Sequence, residues 1–358
     1  MSSLEDRNLE GIEPLPTPAD LKASHPISTT AARVVLRART AIRDVLRGRD
    51  TRRQVVVVGP CSLHDPEAAV AYAKRLLPLA RELEGELIVL MRTYFEKPRT
   101  TIGWKGLVND PHLDGSCRVD EGLALARSLL IEINDLGIPC ATEFLDPVSP
   151  QYLADAISWA AIGARTVESQ THREMASGLS MPVGFKNGTD GSHSVAIDAM
   201  VAASHPHRFL GIRSDGTAAV VKTLGNPDTH VVLRGGRGRT NFDRESVDAI
   251  AEAIGKRGVM VDCSHGNSQK DPARQAQVLR EVAAQVRAGS KGLLGVMIES
   301  HLEEGRQDWT PGKALRYGVS ITDACIGFEE TDGLLRELAA SVRGRRSQRS
   351  ERRRITAA

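Results

Sequence analysis

The sequence lacks the features that mark several specialised classes of protein. Its 358 residues contain no apolar run long enough to cross a bilayer and no apolar signal segment near the N-terminus. The formal net charge is only +2, which argues against a nucleic-acid or membrane partner. From these absences we expect a cytoplasmic globular protein that binds neither nucleic acid nor membrane.

Cysteine is also scarce, and its spacing excludes two further classes. The five cysteines, Cys61, Cys117, Cys140, Cys263 and Cys325, are odd in number and far apart, and no CxxC motif occurs. This pattern argues against a disulfide-stabilised fold and against a zinc ribbon. Cys140 and Cys263 lie in apolar runs, which is typical of unreactive core residues.

What the sequence does contain is a regular alternation of short apolar runs and longer amphipathic stretches. The runs are nearly continuous in Val, Ile and Leu, as expected for parallel strands that are covered on both faces. Eight strand-then-helix units predict an α/β fold, a closed (β/α)₈ TIM barrel, with a doubly wound open sheet as the alternative. The predicted strands are 54–60, 86–94, 139–144, 159–166, 182–187, 230–236, 258–265 and 293–300.

Three segments depart from this rhythm and define the predicted domain organisation. Residues 1–30 are polar and Pro-rich, and we expect an arm with an interface or regulatory role that is loose or packs on a partner. Within the catalytic barrel, 31–342, residues 207–223 contain a central SDG turn signal, which predicts an inserted β-hairpin before strand six. Residues 343–358 are strongly basic and predict a solvated, disordered tail; an RNA- or membrane-seeking arm is the alternative.

Charged or reactive side chains end every predicted strand. In a (β/α)₈ barrel these ends meet on one face, where barrel active sites are found. Such a concentration of positive charge favours small ligands with several phosphate or carboxylate groups, since arginine and lysine pair with these anions. The cations of this set are Arg92, Lys97, Arg99, Arg165, Lys186 and Arg234.

A second set combines a thiol, an imidazole and two carboxylates: Cys61, His265, Glu299 and Asp323. Mixed sulfur, nitrogen and oxygen ligands suit Mn²⁺, Fe²⁺, Co²⁺ or Zn²⁺ better than Mg²⁺ or Ca²⁺. These residues are far apart in sequence, so no local spacing rule supports the site. The hypothesis therefore depends on the barrel bringing them together.

Seven motifs resemble those of the type I 3-deoxy-7-phosphoheptulonate (DAHP) synthases, and the likeness runs from about residue 10 to about residue 340. They read GPCSLHDP, KPRTTIGWKG, WAAIGARTVESQTHRE, GFKNGTDG, LRGG, DCSHGNS and SITDACI. The resemblance implies a metal-dependent barrel enzyme of the shikimate pathway. Its reaction would condense phosphoenolpyruvate with erythrose 4-phosphate and water, giving the seven-carbon phosphorylated keto acid and phosphate.

The same resemblance implies a role for individual residues. The implied metal ligands are Cys61, His265, Glu299 and Asp323. The implied phosphoenolpyruvate site consists of Arg92, Lys97, Glu143, Arg165, Lys186 and Arg234. Pro98, Arg99 and Thr100 fall where the family holds erythrose 4-phosphate. The candidate catalytic residues are Arg92, Lys97, Glu143 and Lys186. Lys97 is expected either to protonate the new alkoxide or to anchor a carboxylate.

Members of this family are commonly inhibited by an aromatic amino acid, and the implied effector residues form a separate group. They are Asp146, Pro150, Gln151, Leu179, Ser180, Phe209, Gly211 and Val221. Gly211 offers no hydroxyl where phenylalanine-inhibited relatives present a serine, which favours the tyrosine-inhibited branch. The resemblance also implies a homo-oligomer, a dimer or a tetramer.

Three other hypotheses have specific support in the sequence. Lys186 at the end of a barrel strand is compatible with a Schiff-base aldolase. The related condensation with arabinose 5-phosphate uses the same fold, although the KPRT motif argues against it. A phosphate-responsive sensor or nucleic-acid binder that uses the basic tail is the non-enzymatic alternative.

Overall fold

Ten β-strands occur in the structure of the protein, a computed structural model that describes residues 4–255, 258–310 and 312–357. Eight are the strands predicted from the apolar runs, and each agrees with its prediction to within a few residues. In chain order they are β1 (Gln54–Gly59), β2 (Leu87–Arg92), β3 (Cys140–Glu143), β4 (Trp159–Ile162), β5 (Val183–Lys186), β6 (Arg208–Ile212), β7 (Ala218–Lys222), β8 (Thr229–Leu233), β9 (Val259–Asp262) and β10 (Leu293–Glu299).

Eight of these strands form one closed parallel barrel in the order β1-β10-β9-β8-β5-β4-β3-β2. Closure is made by β1, which pairs in parallel with β2 on one side and with β10 on the other. The pairing of Gly59 with Glu299 places the carboxyl ends of the first and last strands side by side. The predicted (β/α)₈ fold is confirmed, and the open-sheet alternative is excluded by this closure.

Helices alternate with the barrel strands and cover their outer faces. They are α1 (Pro18–Ser24), α2 (Thr29–Leu46), α3 (Pro66–Glu82), α4 (Val119–Leu136), α5 (Ser149–Leu153), α6 (Gln170–Gly178), α7 (Ser194–Ala203), α8 (Arg244–Ala253), α9 (Arg274–Arg287) and α10 (Phe328–Ala357). In the described part of the chain, no helix combines the length and the apolar character that crossing a membrane requires.

Helix α2 closes the bottom of the barrel, where the strands begin. Ser28 caps its first turn by accepting a hydrogen bond from the Ala31 amide at 2.9 Å. Ile42 and Val45 are fully buried and belong to the same apolar cluster as Trp159 and other residues inside the barrel. Each such side chain stabilises the fold by roughly 2 kcal/mol through burial. The bottom is therefore filled by apolar contacts, and the opposite end is left for polar chemistry.

Strands β6 and β7 form the predicted hairpin between α7 and β8. They pair antiparallel outside the barrel, with Phe209 opposite Val221 and Gly211 opposite Ala219. These four side-chain positions are half-buried, whereas the alternate positions, such as Leu210, are exposed. The hairpin thus turns one face toward its own chain.

The second half of the N-terminal arm packs on its own chain, whereas residues 4–15 are exposed and form no helix or strand. Helix α1 lies within it, and Leu21 packs in the main core of the same chain. The Ala19 amide donates to Ser214 O at 2.8 Å, which ties the arm to the hairpin turn. The Tyr152 hydroxyl donates to Pro16 O at 3.0 Å. From about residue 16 onward, the arm is fixed by contacts within its own chain.

The C-terminal segment 343–358, predicted as a disordered tail, is helical as far as it is described, and Ala358 lies outside the described residues. Helix α10 extends to Ala357, and Arg345 is only 3% exposed. Its guanidinium donates to Thr51 O at 3.1 Å, and that of Arg346 donates to Arg52 O at 3.0 Å. Basic residues look solvated in sequence, but these two satisfy backbone carbonyls beside the start of β1. Their charge is therefore part of the barrel bottom.

Candidate active site

The charged strand ends meet at the carboxyl end of the barrel, as predicted. Arg92, Glu143, Lys186 and Glu299 are the last residues of β2, β3, β5 and β10, and all four are buried. Arg234 directly follows β8. Parallel strands in a closed barrel point their final side chains into one space, so five elements contribute charge to the same site.

A thiol and two carboxylates converge at one side of this space. One ligand atom each of Cys61, Glu299 and Asp323 lies within 4.8 Å of the others. The Cys61 Sγ is 3.6 Å from the Asp323 Oδ2, although 262 positions separate the two residues. The His265 Nε2 is 3.7 Å from the Glu299 Oε1. All four residues predicted as metal ligands are therefore neighbours, and we call them the thiol–carboxylate cluster.

The Glu299 carboxylate is held in place by its surroundings. Its Oε1 accepts from the Arg92 guanidinium at 2.9 Å, and its Oε2 accepts from the Ser264 hydroxyl at 2.7 Å. The Gln275 side chain bonds to both the amide and the carbonyl of Glu299, each at 2.9 Å. Burial favours the neutral acid, but the charges of His265 and Arg92 outweigh it and lower the pKa of Glu299. The carboxylate is thus ionised and fixed in orientation.

Cys61 is also buried, but its side chain favours the neutral, protonated form. Burial, followed by the nearby Glu299 charge, raises the pKa of its thiol to about 11, although the Lys97 ammonium lies only 3.1 Å from the sulfur. Thiolate is the form that binds metal. The protein alone therefore keeps this ligand protonated, and binding of a cation would release the proton.

The imidazole of His265 is oriented by an unusual backbone conformation. Its φ of 57° is in the left-handed region, which non-glycine residues rarely adopt and which is common at functional sites. The Nδ1 lies 2.9 Å from Oδ2 of the fully buried Asp262, which leaves Nε2 on the side of Glu299. A carboxylate behind the ring is the usual support of a metal-binding histidine.

Close backbone packing builds the loops of this face. A Cβ on Gly236 would lie 2.4 Å from the Gly191 amide nitrogen, and one on Gly266 would lie 2.6 Å from the Gly236 nitrogen. Only glycine allows the loops after β5, β8 and β9 to approach this closely. The glycines of the GTDG, RGG and SHG motifs therefore fix the spacing of Lys186, Arg234 and His265.

A cavity of about 280 Å³ lies beside the cluster, and most of its charged lining is cationic. It contains all the predicted substrate residues, together with Tyr94 and Lys270, which sequence reasoning missed. The only signal that the sequence gives for Lys270 is its place in the loop after His265. The charged or aromatic lining residues are Arg92, Tyr94, Lys97, Arg99, Glu143, Arg165, Lys186, Arg234, His265, Lys270 and Asp323.

The cations of this cavity are not all neutralised by the protein. The Lys186 Nζ is 3.0 Å from the Glu143 Oε2, and Arg92 is paired with Glu299. The Arg165 guanidinium donates to the Thr100 hydroxyl at 3.3 Å, and that of Arg234 donates to the Gly235 carbonyl at 3.3 Å. Neither forms an ion pair with a carboxylate of the described residues. Positive charge that its own chain leaves unpaired is suited to an anionic ligand.

A larger, more open cavity of about 780 Å³ adjoins the first at Thr100, Arg165 and Arg234. Arg237 and Lys270 add further positive charge, and no carboxylate is among the described residues that line it. The approach to the site is therefore electropositive, which raises the local concentration of anions.

The predicted effector residues lie outside the barrel mouth, in three segments that α6 connects. The His172 ring nitrogen lies 2.7 Å from Leu145 O, and the Ser177 hydroxyl lies 2.7 Å from that of Thr223 at the base of the hairpin. Whether an effector binds there stays a prediction. The eight residues are Asp146 in the loop after β3, Pro150 and Gln151 in α5, Leu179 and Ser180 after α6, and Phe209, Gly211 and Val221 in the hairpin.

Comparisons with known proteins agree with the geometry. The model of the DAHP synthetase I family matches residues 24–336. The Phe-sensitive phospho-2-dehydro-3-deoxyheptonate aldolase of Escherichia coli K12 is 54% identical, covering 96% of this chain and 98% of that protein. The Tyr-sensitive aldolase of the same strain is also 54% identical, covering 94% of this chain and 95% of that protein.

A solved structure is similar over nearly its whole length. The phospho-2-dehydro-3-deoxyheptonate aldolase of Francisella tularensis SCHU S4 superposes with a TM-score of 0.91 at 47% identity, covering 94% of this chain and 99% of that one. Barrel closure, site geometry and sequence identity thus lead to the same assignment. The chain belongs to the DAHP synthetase I family and is an enzyme of that family.

Proposed function

We propose that the protein condenses phosphoenolpyruvate with erythrose 4-phosphate and water, releasing phosphate and 3-deoxy-D-arabino-heptulosonate 7-phosphate. The observation that carries this proposal is the proximity of two features. The thiol–carboxylate cluster is suited to a divalent cation, and the cationic cavity beside it is suited to phosphorylated acids. In the cell this would be the first step of the shikimate pathway, in the cytoplasm.

The four residues of the thiol–carboxylate cluster would hold Mn²⁺, Fe²⁺, Co²⁺ or Zn²⁺. Soft sulfur beside carboxylate and imidazole fits such borderline ions. When bound, the cation would supply a Lewis acid for the aldehyde oxygen of the aldose. The described residues fit this role because one ligand atom each of Cys61, Glu299 and Asp323 lies within 4.8 Å of the others, and the His265 Nε2 lies 3.7 Å from the Glu299 Oε1.

The protein's contribution to the chemistry is mainly to bring two anions together. Arg165, Lys186 and Arg234 would bind phosphoenolpyruvate, and Pro98, Arg99 and Thr100 would bind the phosphate of the aldose. Since two phosphorylated substrates repel each other in water, holding both in a cationic cavity supplies much of the rate enhancement.

Lys97 and Glu143 are the proposed proton-handling residues. Burial disfavours the Lys97 ammonium, but the nearby Cys61 and Glu299 outweigh it and raise the pKa of Lys97. Lys97 therefore keeps its proton at neutral pH and can either donate it to the new alkoxide or anchor a carboxylate. The Lys186 ammonium outweighs burial and lowers the pKa of Glu143, so this carboxylate stays ionised and can orient the attacking water.

The state of Lys186 argues against the Schiff-base alternative. The Glu143 carboxylate outweighs burial and raises the pKa of the Lys186 ammonium. A protonated amine is not a nucleophile, and lysines that form Schiff bases need a depressed pKa. Borohydride trapping with a carbonyl substrate would reveal such an intermediate, and we expect none.

We further propose inhibition by an aromatic amino acid, with tyrosine favoured. A Cβ on Gly211 would lie 2.6 Å from the Val221 Cγ2, so a larger residue there would displace its neighbour in the hairpin. Glycine leaves this space free of a competing hydroxyl. We also propose a homo-oligomer, a dimer or tetramer, which light scattering of the purified protein would test.

The most informative experiment is an assay of phosphate release from the two substrates, with and without chelator. Activity that is lost on chelation and restored by a divalent ion is the expected result. Each aromatic amino acid is then added in turn, and tyrosine should inhibit most. Phosphate release that persists in fully metal-stripped protein would contradict the proposed metal site.

A further inference from the structure

One buried carboxylate close to the site has no role in the chemistry described above. Glu96 immediately precedes Lys97, at the start of the loop that follows β2. We call residues 95–106 the substrate loop, because it carries Lys97 and the KPRT residues. The Glu96 side chain is only 6% exposed and points away from the cavity lining into the protein.

Among the described residues, the hydrogen bonds to the Glu96 carboxylate all come from residues 145–149, which follow β3. Its Oε1 accepts from the Asp146 amide at 3.1 Å and from the Ser149 hydroxyl at 3.1 Å. Its Oε2 accepts from the Leu145 amide at 3.4 Å. Leu145 and Asp146 belong to the connection between β3 and α5, and Ser149 is the first residue of α5. A single side chain therefore joins the loops that follow two adjacent barrel strands.

The substrate loop has little freedom to absorb a shift at Glu96. The Lys97 amide donates to Lys105 O at 2.8 Å, which closes the loop on itself. A Cβ on Gly106 would lie 2.1 Å from Phe95 O and 2.7 Å from the Glu96 Cα. Because its two ends are packed backbone to backbone, a displacement at Glu96 would be passed directly to Lys97.

Keeping a carboxylate at this position is unfavourable for folding alone. Burial, the largest effect, and the charge of Asp146 raise the pKa of Glu96 to about 7, against the three hydrogen bonds that lower it. No cation among the described residues forms an ion pair with Glu96. A neutral side chain would avoid this desolvation cost, so the carboxylate points to a need for fixed geometry.

We propose that Glu96 is a positioning residue that fastens the substrate loop to the β3–α5 connection and so sets the placement of Lys97, Arg99 and Thr100. The proposal rests on the proposed function for its kinetic consequences. Glu96 itself touches no substrate. Of the six residues proposed for the phosphoenolpyruvate site, only Lys97 lies in the substrate loop, so the loss of Glu96 should affect the two substrates unequally.

The test is the variant Glu96→Gln, assayed by phosphate release. The concentration of each substrate is varied while the other substrate is kept saturating. The glutamine side chain has an NH₂ group in place of one carboxylate oxygen. This group cannot accept a hydrogen bond, so at least one of the three hydrogen bonds to residue 96 is lost. We expect the KM for erythrose 4-phosphate to rise about tenfold and kcat to fall several-fold. The KM for phosphoenolpyruvate should rise less, because Lys97 is the only one of its six implied site residues that lies in the substrate loop. Glu84→Gln, an exposed glutamate, is the matched control and should behave as wild type.

A second readout does not depend on activity. Amide hydrogen exchange within 97–105 should be at least several-fold faster in Glu96→Gln than in wild type, because the loop is then fastened less firmly to the residues that follow β3. Unchanged exchange in this segment, or kinetic constants for both substrates within twofold of wild type, would overturn the proposal. Absence of phosphate release by the wild-type protein would instead contradict the proposed function, and the exchange result would still decide the role of Glu96.

Ser149→Ala covers the case in which Glu96→Gln does not fold. This change removes one donor and leaves the carboxylate and both amides in place. We expect the same pattern at smaller size, about a threefold rise in the KM for erythrose 4-phosphate. A Ser149→Ala protein that differs from wild type only in thermal stability would also overturn the proposal.

Discussion

The two ends of the barrel use the same kinds of charged residue in opposite ways. At the bottom, Asp228 is 2.7 Å from the Arg43 guanidinium and 2.9 Å from that of Arg47. At the mouth, Arg165 and Arg234 find no carboxylate among the described residues. Arg43 and Arg47 at the bottom are paired within their own chain and hold helix α2 in place, whereas Arg165 and Arg234 at the mouth are left for a ligand. For these four arginines, the presence or absence of a paired carboxylate separates a role in stability from a proposed role in binding.

The largest expected effect is at the mouth, in the variant Cys61→Ala. Loss of the sulfur should reduce phosphate release by about a thousandfold through loss of metal, because Lewis-acid stabilisation amounts to several kcal/mol. Elemental analysis should show the metal loss, and the barrel should remain folded by circular dichroism. Cys117→Ala, which changes an exposed cysteine, is the control. Full turnover of Cys61→Ala in metal-stripped buffer would refute the assignment.

Arg165→Ala tests whether the unpaired cations serve binding. The KM for phosphoenolpyruvate should rise by about ten- to a hundredfold, as expected for one charge-assisted contact. Thermal stability should hardly change, since the side chain is exposed and donates a single neutral hydrogen bond. A clear fall in melting temperature with unchanged kinetics would place Arg165 with the structural cations of the bottom.

Asp228→Ala tests whether the paired cations at the bottom of the barrel serve stability. The change leaves Arg43 of α2 and Arg47, which directly follows α2, without their shared carboxylate, so we expect the free energy of unfolding to fall by about 2 kcal/mol. The kcat/KM values should stay within about twofold. Denaturant titration measures the loss, and Asp248→Ala, at an exposed pair with Arg244, should change stability by less than about 0.5 kcal/mol. Lost activity at unchanged stability would contradict the division between the two ends.

The smallest expected effect is a change of stability with pH. It arises from the Glu96 carboxylate, which forms no ion pair with the described residues. Its pKa is raised from 4.5 to about 7 in the folded protein, so between these values the folded state binds more protons than the unfolded state. This group's contribution therefore destabilises the fold progressively as pH rises from about 5 to about 7. The stability of Glu96→Gln relative to wild type should increase over that interval, by on the order of 1 kcal/mol. Denaturant titration at several pH values measures this difference in stability. A difference that stays constant with pH would contradict the prediction.

Much of the fold could be predicted from the sequence because its signals are local. Nearly continuous Val, Ile and Leu runs predicted all eight barrel strands, and the turn residues around Asp215 predicted the hairpin. The C-terminal segment was different: composition indicated solvated charge, but Arg345 and Arg346 donate to carbonyls at the barrel bottom. Such hydrogen bonds leave no local pattern, since their acceptors are backbone atoms almost 300 positions away.

For the candidate site, too, local sequence patterns predicted only part of what the structure contains. Residue type at the strand ends predicted the cationic substrate residues, but Lys270 and Glu96 were missed. Lys270 is in a loop without a signature, and its position in the cavity depends on how that loop turns after His265. Glu96 looks like one more charge in a polar loop, and only the fold reveals that it is buried against Asp146 and Ser149.

By itself, the sequence determined which segments become strands and which side chains stand at their ends, because apolar periodicity and residue type are properties of short stretches. Only the tertiary structure decided that Cys61 and Asp323 are 3.6 Å apart and that Asp228 is paired while Arg165 is not. The physical reason is barrel closure. Parallel pairing of β1 with both β2 and β10 brings distant strand ends into one ring, and the loops then settle which charges meet.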